Sequence, residues 1–198
     1  VLSPVVLGVD YVIKGTALLI FAIIGMSLVV LTGWAGQLSL GQMGIVGVGA
    51  AVSATLTSRW DVDLTLGLLA GALAGAVAAF AVGVPALRLR GLYLAVTTFA
   101  FGLSVEYWLL SDRFFGWFPS DRFERPPLFG RIDVSTPTRF YAYTVVVLAL
   151  VGLSLRSIRR SRTGRAIVAM RENERAAQSY SVTPARTKLT AFVISGAV

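Results

Sequence analysis

The 198-residue chain has no histidine and no cysteine. Without cysteine, disulfides, thiolate catalysis and Cys-ligated metals are excluded. Without histidine, the commonest general base and the commonest transition-metal ligand are gone. Charge is scarce too: 14% of residues are Asp, Glu, Lys or Arg, against about 25% in a soluble domain. The 10 acidic residues are scattered, so no carboxylate cluster suggests a metal cage. What the chain has in abundance is apolar residues, 56%, and 20 glycines. Its longest apolar runs reach the roughly 17–25 residues that cross a bilayer as a helix. These features exclude an ordinary soluble enzyme, a disordered chain and a secreted disulfide scaffold. They leave an all-α polytopic membrane protein, since barrel strands would read as short alternating segments.

Apolar runs extend over about 15–31, 39–57, 64–84, 91–110 and 140–155, and another begins at 191–198. Each is expected to be helical, because lipid cannot satisfy an exposed backbone N–H or C=O. Val1 stands where a Met would start a chain, and the last run stops after about 12 Å of helix, short of the ~30 Å hydrocarbon core. Residues 1–198 are therefore expected to be part of a longer transmembrane domain.

The connections set the orientation. Residues 156–190 hold Arg156, Arg159, Arg160, Arg162, Arg165, Arg171, Arg175, Arg186 and Lys188 against only Glu172 and Glu174. Such a segment cannot lie in hydrocarbon and belongs on the cytoplasmic side by the positive-inside rule. The near-balanced 111–139 connection then falls outside, and Arg88 and Arg90 fall inside. Trp60, Tyr107, Trp108, Tyr141 and Tyr143 are expected at outer span ends and Tyr93 at an inner one, as in aromatic belts. The first span is ambiguous. A full second crossing puts Lys14 outside; a re-entrant 33–49 segment reverses it.

Gly67, Gly71, Gly75, Ala79 and Gly83 recur every four residues and line one helix face for close packing. Residues 33–49 carry Gly33, Gly36, Gly41, Gly44, Gly47 and Gly49 together with Gln37, Ser39 and Gln42. Two readings stand: a plain turn before a glycine-packed helix, or a broken helix beside a translocation path, since irregular backbone at membrane depth needs a protein or water-lined setting. Glu106 is an acid inside an apolar run. It is either a functional group or, four residues from Leu110, a side chain that reaches the interface.

The basic segment has helical structure of its own. Thr163-Gly164 leads into a helix-compatible stretch, Arg165 to Tyr180. Thr183-Pro184 reads as an N-cap with Pro at the first helical position. Ala166, Ile167, Met170 and Ala177 would be available for contact on this helix. A solvated topogenic loop, a surface helix on anionic lipid and a docking helix for a cytoplasmic partner all remain open; the apolar face is thin for the second. Nucleic acid is not expected as a partner, because the basic residues sit on a membrane-tethered loop.

Three ordered motifs then resemble a known family. The stretch Leu31-Thr32-Gly33-Trp34-Ala35-Gly36-Gln37-Leu38-Ser39-Leu40-Gly41-Gln42 resembles the glycine-rich signature of inner-membrane permeases of branched-chain amino acid ABC importers, most closely the M-type subunit. Arg88-Leu89-Arg90-Gly91-Leu92-Tyr93-Leu94-Ala95-Val96-Thr97-Thr98 is similar to a second run of that subunit. Ser161 to Ala166, Arg171 to Ala177 and Lys188 to Phe192 are similar to its cytoplasmic coupling loop. Gln42 departs from the pattern, where His is frequent, and the 111–139 connection does not align.

The resemblance implies a multi-pass permease of the bacterial inner membrane that forms part of the path for branched-chain or related amino acids. It implies a second permease subunit, two cytoplasmic ATPase subunits and an extracytoplasmic substrate-binding protein as partners, within a lipid bilayer. ATP and Mg would be used by the ATPase partners. This chain has no Gly-x-x-x-x-Gly-Lys-Ser/Thr motif, and no cofactor, metal or catalytic residue of its own is expected. Gln37, Ser39, Gln42, Thr97 and Thr98 are the candidates for the substrate path. Arg165, Met170, Arg171, Glu172, Glu174, Arg175 and Ala177 are the candidates for coupling to the ATPase. An importer of another small solute (urea, a nucleoside or a sugar) is an alternative, as is a membrane scaffold that recruits a cytoplasmic protein.

Overall fold

Apolar runs with no water to solvate their backbone close their hydrogen bonds internally, and the chain is built of helices accordingly. The computed structural model describes residues 9–87, 92–111, 134 and 136–198. Among them there is no strand. In chain order the helices are α1 (Val9–Leu28), α2 (Gln42–Arg59), α3 (Leu64–Ala86), α4 (Leu92–Ser104), α5 (Pro137–Arg160), α6 (Arg162–Glu172), α7 (Glu174–Ser179) and α8 (Pro184–Ala197). Two wider, π-helical segments continue α1 over Val29–Trp34 and α4 over Val105–Leu109.

Among the described residues four helices are long and apolar enough to cross a membrane: Val9–Trp34, Leu64–Ala86, Leu92–Leu109 and Pro137–Arg160. Three of them extend a few residues beyond the apolar run that marks them in the sequence, and Leu92–Leu109 falls just inside the 91–110 run. Helix α2 has 18 residues but is diluted by Gly, Ser and Thr. It packs against α3, α4 and α8, so protein rather than lipid surrounds much of it and less apolarity suffices. Exposed Leu18, Phe21, Leu69, Leu73, Leu150 and Leu153 lie on outer faces of the other helices. Outward leucines are what a multi-pass membrane protein presents to lipid.

The pairing of helices fixes their directions. Gly15 faces Tyr141, Met26 faces Gly152 and Trp34 lies 5.9 Å under the Arg159 guanidinium, so α1 and α5 run parallel. Gly67 lies against Thr57 and Gly71 against Gly49, so α2 and α3 form an antiparallel hairpin. Gly83 meets Leu189 and Phe192 while Gly75 meets Gly196, which makes α8 antiparallel to α3. Trp34, Ala86 and Arg160 therefore share one end, the basic end. Lys14, Trp60, Leu64 and Pro137 share the other. Helices α1, α2 and α3 alternate in direction, which places Lys14 at the same end as Trp60. Trp60, Tyr107 and Trp108 are exposed at the far end and Tyr93 at the basic end. Tyr143, beside Thr65 at the same far end, is half-buried and lines a cavity between the helices. Arg88 to Gly91 and most of the 111–139 connection lie outside the described residues.

The glycine stripe on α3 serves two partners. Its far-end half, Gly67 and Gly71, receives α2, and its basic-end half, Gly75, Ala79 and Gly83, receives α8. A Cβ on Gly71 would sit 2.8 Å from the Gly49 carbonyl oxygen, and one on Gly83 would sit 2.8 Å from Leu189 Cδ1. Removing side chains from such a face lets backbones approach where no hydrophobic effect drives helices together. The core proper lies at the basic end, where Leu31, Ala86, Leu94, Ile167, Ala191 and Phe192 cluster.

Candidate functional site

The chain leaves α1 through the π-helical turn, reverses at Gly36 (φ +65°, a conformation that favours glycine) and re-enters the bundle as irregular backbone over 37–41. Helix α2 starts only at Gln42. Its level is that of Ser27, seven residues before Trp34, which is about 10 Å along the helix. The second apolar run is thus a helix preceded by an unwound stretch. Thr98 holds that stretch: its hydroxyl accepts from the Leu40 N–H (3.1 Å) and donates to the Ala95 carbonyl (3.0 Å). Gly41 sits so close to the Thr98 carbonyl that any Cβ would overlap it, and a Cβ on Gly44 would lie 2.7 Å from Gly102 Cα.

Gln42 is 3% exposed and ties three helices together. Its Nε2 donates to Ser27 Oγ of α1 (2.9 Å) and to the Ser195 carbonyl of α8 (3.3 Å). Ser195 Oγ donates back to the Ser27 carbonyl (2.9 Å). Among the described residues, Gln42 Oε1 is buried without a hydrogen-bond partner, as are Gln37 Oε1 and Ser39 Oγ. Buried acceptors without a donor are rare and costly. Above this knot lies a cavity of about 310 Å³ bounded by α1, α2, α3, α5 and α8. Its walls are largely aliphatic, with Ile24, Ile45 and Val147 among them, and Gln42, Ser27 and Ser195 line it as polar groups.

Of the five path candidates from the sequence, Gln37, Ser39, Gln42 and Thr98 are buried along one chain segment and its clamp. Thr97 is not with them: it is exposed and donates to the Tyr93 carbonyl of its own helix. Adjacent residues on a helix point about 100° apart, and here Thr98 faces inward while Thr97 faces out. Glu106 is exposed on the π-helical turn at the far end, as the interface reading expects. Ser27 and Ser195 did not stand out in the sequence. Their only signal is a small hydroxyl inside an otherwise apolar run.

The basic segment differs from the single helix expected over 165–180. It is two helices, α6 and α7, broken at Asn173, whose side chain accepts from the Ala176 N–H (3.0 Å) as an N-cap. Ser161 caps α6 by accepting from the Gly164 N–H (3.3 Å). Pro184 does open α8, but Thr183 gives no side-chain cap. Ile167 (1% exposed), Met170 and Ala177 are buried rather than available to a partner, and Ile167 joins the basic-end core. Arg165, Arg171, Glu172 and Arg175 are exposed.

Two polar links hold this unit to the bundle. Arg171 Nη1 donates to the Gly33 carbonyl at the end of α1, where helix carbonyls lack internal partners and attract cations. Lys188 Nζ, near the start of α8, lies 3.2 Å from both carboxylate oxygens of Glu174.

A family model described as the branched-chain amino acid transport system / permease component matches residues 15–198. The chain is 36% identical to the high-affinity branched-chain amino acid transport system permease protein LivM of Salmonella typhimurium over 208 residues, 92% of this chain and 48% of the relative. It is 35% identical to the LivM protein of Escherichia coli over the same shares. The chain thus spans about half the length of these curated relatives. No solved structure matches at comparable significance. The chain belongs to the branched-chain amino acid transport system permease family.

Proposed function

We propose that this chain is part of the permease of an ATP-driven importer that carries branched-chain amino acids across the bacterial inner membrane. The observation that carries the reading is the 35–36% identity to two branched-chain amino acid permeases over 92% of the chain. The geometry accords with it. Irregular backbone with buried, donor-hungry oxygens at Gln37, Ser39 and Gln42 is the environment a translocated ammonium group would use. The charged outer faces of α6 and α7 would sit in the cytoplasm and dock on an ATPase subunit. A second permease, two ATPases that use ATP and Mg, and an extracytoplasmic binding protein complete the machine.

The mechanism is mechanical for this chain. Closure of the ATPases would displace α6–α7 as a rigid body, and the links through Arg171 and Glu174 would pass the motion to α1 and α8. The test is uptake of radiolabelled leucine, isoleucine and valine in cells that lack their own importers and express the protein with its neighbouring transport genes. Uptake that depends on ATP and is competed by the three amino acids is the expected result. Competition by urea, a nucleoside or a sugar instead would reassign the substrate. Absence of any uptake, with two ATPases failing to co-purify, would leave a scaffold.

A further inference from the structure

Among the described residues one stripe of α5 is left uncovered. Val146, Leu150 and Leu153 on it are each more than half exposed, and Ser157 and Arg160 continue it as exposed residues at the basic end. Val146, Leu153 and Arg160 recur every seven residues, a spacing that drifts by only about 20° per step around a helix. Arg160 thus stands about 10 Å below Leu153 on the same face. Arg156, also exposed, is one turn earlier and about 40° to the side. The geometry points to a binding site on this face for an anionic phospholipid, with an acyl chain along Leu150 and Leu153 and its phosphate on Arg156 and Arg160. The site does not depend on the transport function proposed above.

Charge selects the headgroup. The sequence has no Asp or Glu between Val134 and Arg171. Among the described residues the Arg156 and Arg160 guanidiniums have no hydrogen bond or ion pair. Their neighbours are engaged: Arg159, on the side of α5 that faces α1, is seated over Trp34, and Arg165 donates to the Arg160 carbonyl. The α5–α6 corner is therefore held without Arg156 and Arg160, whose donors remain available. A guanidinium fork matches phosphate oxygens two at a time. Trp34 marks the depth, because Trp concentrates at the headgroup level. Positive charge at a cytoplasmic end follows from topology alone. Topology does not require two unpaired arginines to continue a face of exposed leucines. A lipid, apolar along its chain and anionic at its head, complements both parts of that face. A soluble anion or an acidic protein surface complements only the arginines.

The experiment is site-specific quenching by brominated lipid. This chain has no cysteine, so Leu150→Cys introduces one thiol for a bimane label, and the complex without that change, treated identically, gives the background. The labelled complex is placed in nanodiscs of phosphatidylcholine with rising fractions of phosphatidylglycerol, one lipid or the other carrying dibrominated chains. Phosphatidylglycerol is expected to occupy the face about 25-fold in preference to phosphatidylcholine, about 5-fold for each arginine. Arg160→Gln is expected to lower that preference about 5-fold, and Arg160→Lys to keep most of it. Arg186→Gln removes a charge elsewhere at the basic end and is expected to leave the preference unchanged. Arg156→Gln gives the same readout if the Arg160 variant does not assemble. Soluble glycerol phosphate in excess is expected not to relieve quenching by the brominated phosphatidylglycerol. Four results would each overturn the site: equal quenching by the two lipids, no quenching by either because protein covers the face, equal losses from Arg160→Gln and Arg186→Gln, or displacement by glycerol phosphate.

Discussion

Gly75 of α3 and Gly196 of α8 meet backbone against backbone, and a Cβ on either would run into the carbonyl oxygen of the other. No side-chain rotation relieves such a clash. Gly75→Ala is therefore expected to destabilise the fold by about 1–3 kcal/mol, as overpacking does. Gly25, in α1, has nothing within 4 Å of its Cβ position, and Gly25→Ala is expected to be neutral or to stabilise by up to about 1 kcal/mol. Thermal unfolding of both variants in the same detergent checks the contrast. Equal melting temperatures would show that the α3–α8 seam is looser than this.

Replacing Gln42 by Leu leaves Ser27 Oγ and the Ser195 carbonyl without their Nε2 donor but also removes the unpartnered Oε1. The losses outweigh the gain, because two groups lose a partner while one unmade bond is relieved. A net cost of about 1–2 kcal/mol is expected. Uptake should fall more than protein level in membranes, since α1, α2 and α8 lose their shared tie. Quantitative immunoblotting beside transport rates separates the two effects.

Arg171→Met is expected to cost at most about 1 kcal/mol of stability, because the guanidinium is exposed and water replaces much of what is lost. Its effect on coupling should be larger. ATP hydrolysis by the assembled complex is expected to continue with reduced leucine uptake per ATP, measured in proteoliposomes. A variant with unaltered stoichiometry would show that α6 does not act through the end of α1.

Glu172 and Arg175 are exposed on α6–α7 and are free to meet an ATPase. The double change Glu172→Ala, Arg175→Ala is expected to leave the protein in the membrane while uptake drops to near background. ATPase co-purification reports docking directly. Full uptake by the double variant would count against the docking role.

The helical runs, the α3 stripe and the start of α8 at Pro184 were legible because period and punctuation are local signals. A glycine every four residues names a packing face before any neighbour is known. It does not say that α2 takes one half of that face and α8 the other, since this depends on register between distant segments. Thr97 and Thr98 look equivalent in sequence, and only the position of Leu40 distinguishes them. Ser27 and Ser195 are 168 residues apart in sequence, and no local pattern pairs them. The break at Asn173 carried a readable sign, an Asn just before Glu174, but the helix-favouring residues on either side obscured it. Ile167 and Met170 were identified as contact residues. What they contact is their own bundle, because α6 folds back tightly enough at Gly164 to touch Ile158 and Arg159.

The Glu174–Lys188 and Arg171–Gly33 links make α6–α7 a yoke across α1 and α8. From Lys188 to Ser195 is seven residues of one continuous helix, about 10 Å, and from Gly33 back to Ser27 is a similar distance along α1. Both arms end at Ser27 and Ser195, which Gln42 joins through the Ser27 hydroxyl and the Ser195 carbonyl. A tug on the yoke from outside the membrane therefore reaches the floor of the inner cavity from two sides at once, and a sideways pull on either arm alone strains the Gln42 knot.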